Sequence, residues 1–149
     1  MKMTVPYLFF AFAAGVGVAV QFGVNGQLRR ISGQPIWASM ISFIVGTVAL
    51  LLCFIATRRN WPTSGQLAHA HWWVWIGGLL GAFYVVVSVV SGPRLGSATL
   101  VACVIAGQLL ASIVLDHFGW IGYAVHAASP GRLVGAVLLL AGVACVLRY

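Results

Sequence analysis

Acidic residues are almost missing from this chain. Asp116 is the only one, set against eight lysines and arginines, and charged residues of either sign fill 6% of the 149 positions. A soluble domain carries about 25%. With 62% apolar residues and a mean hydropathy of +1.05, there is too little polar side chain to cover a surface in water. Lipid is then the solvent, and backbone polar groups must pair inside helices or a closed barrel. Period-2 alternation is lacking as well. The apolar runs reach about twenty residues, which selects helices over barrel strands.

Other absences narrow the function. The net charge is +7, yet the basic residues form no patch; they stand singly or in pairs at the ends of apolar runs. Nucleic-acid binding needs a contiguous basic footprint and is excluded. Cys53, Cys103 and Cys145 each lie inside an apolar run, with the spacing of neither a disulfide framework nor a zinc site. They read as small apolar side chains. No nucleophile–base pair lies at membrane depth, so an intramembrane enzyme is not expected, nor is a cofactor. His69, His71, His117 and His126 fall in two loops on one side, and "HAH" with two more imidazoles is a conceivable metal set. Interfacial loops without a nearby cysteine point instead to headgroup contacts, and no metal is expected.

What is present is five apolar spans in a single transmembrane domain, 1–149. They run at about 5–26, 36–57, 72–90, 95–115 and 132–147, separated by "SGQP" (32–35), "NWPTSG" (60–65) and "SGPR" (91–94). Lys2 and the small residues near Ala13 and Ala14 imitate a signal peptide, but the run continues apolar past Ala14, so a retained first helix is expected. All six tryptophans fall near span ends, where an interfacial aromatic belt would place them.

Five spans put the termini on opposite sides. Lys2, Arg58, Arg59 and Arg132 fall on the N-terminal side, and Arg29, Arg30, Arg94 and Arg148 on the other. The positive-inside rule reads such loop charges, and here they balance. Either one strong span or the insertion machinery decides, or the chain inserts both ways. Two oppositely inserted copies would pair about an axis in the membrane plane and rebuild the inverted repeats of transporters.

"GVGVAVQFGVNGQL" (15–28), "WVWIGGLLGAFYV" (73–85), "GQLLASIVLDHFGW" (107–120) and "RLVGAVLLLAGV" (132–143) together resemble the YdcZ-like inner-membrane exporters. These are five-span members of the drug/metabolite transporter superfamily. The resemblance covers nearly the whole chain. It implies an all-α protein of the bacterial inner membrane working as a dimer; family members occur as antiparallel homodimers, paired heterodimers and ten-span fusions, and the balanced charge count suits the antiparallel, dual-topology homodimer with a 5+5 inverted repeat. The motif residues it carries over are Gln21, Asn25, Gly77, Gly78, Gly81, Gln108 and Asp116. The related small multidrug exporters use a carboxylate in their first span for drug and proton binding, and this chain has no acid there.

The intramembrane polar residues form stripes at helical spacing. Span 1 carries Gly17, Gln21 and Asn25; span 3 carries Gly77, Gly81, Tyr84 and Ser88; span 4 carries Ser97, Gln108, Ser112 and Asp116; the polar residues of span 2 are Ser39, Ser42 and Thr47. Such residues either hold helices together or line a cavity. The candidate substrate-binding set is Gln21, Asn25, Ser42, Tyr84, Ser88, Gln108 and Ser112. These uncharged groups suit a neutral, zwitterionic or hydrogen-bonding solute. Asp116 reads as an interfacial ion pair with Arg132 or a partner-chain arginine, or as a gate. Gly131, Gly135 and Gly142 make span 5 the candidate dimer contact, with packing inside the chain as the alternative. The expected function is a secondary transporter, an exporter of a small organic solute by alternating access; a passive channel or a non-transporting assembly subunit is the other reading.

Overall fold

The computed structural model of the chain describes residues 4–58, 61, 65 and 71–148. Lys2, Arg59, His69, Tyr149 and most of the "NWPTSG" breaker lie outside the described residues. Among the described residues there are five helices long and apolar enough to cross a membrane, and no strand. We label them α1 (Thr4–Ser32), α2 (Pro35–Ala56), α3 (Ile76–Leu95), α4 (Ser97–Phe118) and α5 (Pro130–Arg148). The chain forms two compact units, divided between Arg94 and Leu95.

The first unit holds α1–α3. Helix α1 continues past Gly26 to Ser32, and its last turn carries Arg29 and Arg30 at the negative end of the helix dipole. Gly33 stops it in the left-handed region at φ +77°, and its N–H caps the Arg29 carbonyl at 2.9 Å. Pro35, with φ already set for a helix, starts α2 after an extended Gln34. The Thr57 hydroxyl closes α2 on the Cys53 and Phe54 carbonyls at 2.9 and 3.0 Å. A 3-10 turn, Trp72–Trp75, leads into α3, which keeps Pro93 inside its last turn. The core of the unit is Ala38, Val85 and Val89, with Leu28 and Tyr84 packed against it. Ala38 is fully buried, and its small side chain admits close helix approach.

The second unit is the helix pair α4–α5, with Ala106 and Ala136 buried. Gly119 ends α4 at φ +64°, donating to the Leu115 carbonyl. Ser129 caps α5: its carbonyl accepts from Leu133 and its hydroxyl from the Arg132 N–H, with Pro130 at the first helical position. Large apolar side chains such as Phe10, Phe12, Leu79, Leu80 and Leu138 stand exposed, the reverse of a soluble protein and the arrangement lipid favours.

Candidate functional site

Gln21 of α1 and Ser42 and Thr47 of α2 line one open cavity of about 220 Å³, completed by Phe43, Gly46, Leu50 and Val85. Its polar lining is one amide and two hydroxyls, with no charged group. A neighbouring groove of about 310 Å³ is apolar apart from Ser39, and is walled by Ile36, Met40, Phe43, Ala82 and Val86. The Phe43 ring is common to both. It lies against α3 at Gly81, where a Cβ would sit 3.6 Å from Phe43 Cζ, in ordinary van der Waals contact.

Asn25, Tyr84 and Ser88 lie outside that lining. Asn25 is 4% exposed, one turn beyond Gln21 on the same face. The Tyr84 ring packs on Phe22 with centroids 5.8 Å apart. Ser88 is buried, and its hydroxyl donates to the Tyr84 carbonyl at 2.7 Å; Ser39 does the same to Pro35 at 2.9 Å. A hydroxyl bonded to the carbonyl one turn back is satisfied inside its own helix, so these two serines hold their protons in the scaffold. Among the described residues no buried side-chain polar atom lacks a partner.

Two cavity-wall residues, Thr47 and Phe43, were not singled out from the sequence as binding residues. Gly46 stands at i+4 from Ser42 and Thr47 at i+4 from Phe43, so two adjacent rows of α2 make the wall, and those spacings are the available signal. In the sequence Arg29 is a topology charge at a span end. Its Nη1 in fact reaches across to α3 and donates to the carbonyls of Val89 at 3.0 Å and Val90 at 3.4 Å.

In the second unit, Gln108 and Ser112 are exposed on α4. Gln108 lies about 15 Å from either end of a 22-residue helix, near the middle of the span. Further along, Asp116 meets Arg132, with Nη2 to Oδ2 at 2.5 Å. Arg132 Nη1 also donates to the His126 carbonyl at 3.0 Å, and the His126 N–H donates to the Asp116 carbonyl at 2.8 Å. The Ala128 N–H bonds His117 Nδ1 at 3.1 Å. The acid is thus the organising point of the α4–α5 connection. A carboxylate at a helix C-terminus opposes the dipole, and the guanidinium offsets it. Among the described residues no cluster of three metal-ligating side chains occurs. Gly131, Gly135 and Gly142 each open onto empty space, with nothing within 4 Å of a built Cβ.

The family model described as "Putative inner membrane exporter, YdcZ" matches residues 6–145. The chain is 32% identical over 142 residues to the inner membrane protein YdcZ of Escherichia coli (strain K12), a match covering 95% of this chain and 94% of that protein. No solved structure matches the chain. Five apolar helices, with a family match over residues 6–145 and a relative matched over nearly its whole length, make this a multi-pass inner-membrane protein that belongs to the YdcZ family of inner-membrane exporters.

Proposed function

We propose that the chain is a secondary transporter that exports a small, uncharged, hydrogen-bonding solute by alternating access in an antiparallel homodimer. The observation that carries this reading is the cavity of Gln21, Ser42 and Thr47. Uncharged donors and acceptors inside hydrophobic spans are costly there and usually face a cavity. They recognise hydroxyls and amides, and they offer a free ion no counter-charge. The adjoining groove behind Phe43 suits an apolar body on the same solute.

Gln108, near the middle of α4, adds a second uncharged amide to the proposed solute path. The dimer reading is supported by the balanced loop charges, since two oppositely inserted copies would bring their α4 faces together. Gly131, Gly135 and Gly142 leave α5 free for close helix contact with the partner. Two opposed copies would place paired sites about the membrane midplane, as inverted repeats do.

The test is a thermal-shift screen of neutral polar solutes, followed by counter-exchange in liposomes. Uptake saturates and shows counter-exchange. Gln21→Leu and Gln108→Leu each keep bulk, remove donor and acceptor, and abolish that flux while the dimer persists on cross-linking. Non-saturating flux makes the protein a channel, and no flux from the purified dimer makes it an assembly subunit. Wild-type flux in both leucine variants reduces the glutamines to helix packing.

A further inference from the structure

We infer that Arg29 is a positioning residue for this cavity: it supplies from α1 the hydrogen bond that Pro93 removes from α3. The second half of this inference, its effect on the cavity, rests on the site proposed above. In a helix each N–H bonds the carbonyl four residues earlier. Proline has no N–H, so Pro93 leaves the Val89 carbonyl without its backbone donor. Val89 is 1% exposed, which keeps water from serving it. Arg29 Nη1 bonds that same carbonyl at 3.0 Å and leans on the next, Val90, at 3.4 Å. Neighbouring helices are known to satisfy the groups that proline frees in a membrane, and here the donor has a name. The guanidinium also meets the negative end of the α3 dipole, so charge and hydrogen bond act together.

The register ties this bond to the cavity. Phe22 and Arg29 are two turns apart on one face of α1. Phe22 packs on Tyr84, and Arg29 holds Val89. Between these two contacts α3 presents Val85, a cavity wall one turn before Val89. Loss of Arg29 frees the broken end of α3 and lets that wall move. A role confined to interfacial charge would have no connection to Pro93.

The experiment is a double-mutant cycle on the purified full chain in lipid nanodiscs, with Arg29→Ala, Pro93→Ala and the pair. Pro93→Ala restores the backbone N–H to the Val89 carbonyl. Arg29→Ala lowers the thermal midpoint by several degrees, Pro93→Ala alone keeps it, and the pair regains most of the loss. If Arg29→Ala alone gives no folded protein, recovery of folded yield in the pair is the same result. The cavity readout is maleimide alkylation of Ser42→Cys after Cys53, Cys103 and Cys145 are replaced by alanine. Arg29→Ala changes that rate several-fold and Pro93→Ala returns it. A pair as unstable as Arg29→Ala overturns the inference. Rescued stability with an unchanged alkylation rate overturns the positioning role while leaving the transport reading to its own flux test.

Discussion

Removing Asp116 should harm the fold less than removing its partner. The carboxylate is 20% exposed and the Arg132 side chain 39%. A pair so placed falls between an exposed ion pair, about 0–1 kcal/mol, and a charge-assisted bond, about 1.5–3 kcal/mol. Asp116→Ala loses the pair but also lifts a negative charge from the C-terminal end of α4, a relief of about 0.3–1 kcal/mol. Arg132 keeps its bond to the His126 carbonyl, and the His126 N–H keeps the Asp116 main-chain carbonyl. The net cost is about 0–1 kcal/mol. Arg132→Ala loses both guanidinium bonds and strands the carboxylate against the dipole, for about 2–3 kcal/mol. Equilibrium unfolding in mixed micelles, followed by tryptophan fluorescence, measures both. The double variant should show a coupling near 1 kcal/mol, since the two groups act through one bond. Equal costs for the two single variants, or zero coupling, would refute an Asp116 anchored by Arg132.

Gly119→Ala forces a side chain into φ +64°, costing about 1–2 kcal/mol, and sets a Cβ 2.7 Å from Val125 Cγ2 and 3.3 Å from the Tyr123 carbonyl. Its thermal midpoint should fall below wild type, and an unchanged midpoint would mean that α4 ends otherwise. The balanced loop charges predict that C-terminal reporters for the cytoplasm and for the outside both give signal. Two lysines after Tyr149 should then draw the C-terminus inward, because added C-terminal charge can flip topology. A single orientation in the unmodified protein would sink the antiparallel pairing.

The helices were legible because lipid leaves the chain few options. Long apolar runs with tryptophan and basic residues at their ends announce spans, and all five apolar runs carry a helix long enough to cross a membrane. Their ends were less legible, for a physical reason. Hydropathy marks where the chain leaves hydrocarbon, whereas a helix stops where its backbone is capped. Helix α1 leaves the apolar run near Gly26 yet stays helical through Arg30, since cations suit a C-terminal turn, and it stops only at Gly33. Helix α4 likewise runs to Phe118, where Gly119 supplies the left-handed cap.

The polar residues sort by a rule that periodicity does not express. A stripe at helical spacing shows which side chains share a face, and says nothing of which are already satisfied. Ser88 and Tyr84 share a stripe, but Ser88 is bonded to its own helix and buried, while Gln21 opens into a cavity with Ser42. Arginines at span ends read alike in sequence, yet Arg29 bonds carbonyls sixty residues away and Arg132 holds the one acid. One half of the Arg29 contact was there to be read: a proline at 93 always deprives the carbonyl at 89. The other half, the donor, follows only from how α1 and α3 pack. Where lipid is the solvent, every proline inside a span poses the same question of who bonds the freed carbonyl, and the answer identifies a helix contact before any cavity is found. Here that contact lies one turn of α3 beyond Val85, a wall of the uncharged cavity, which is why the Arg29 and Pro93 variants are read out at the cavity as well as in stability.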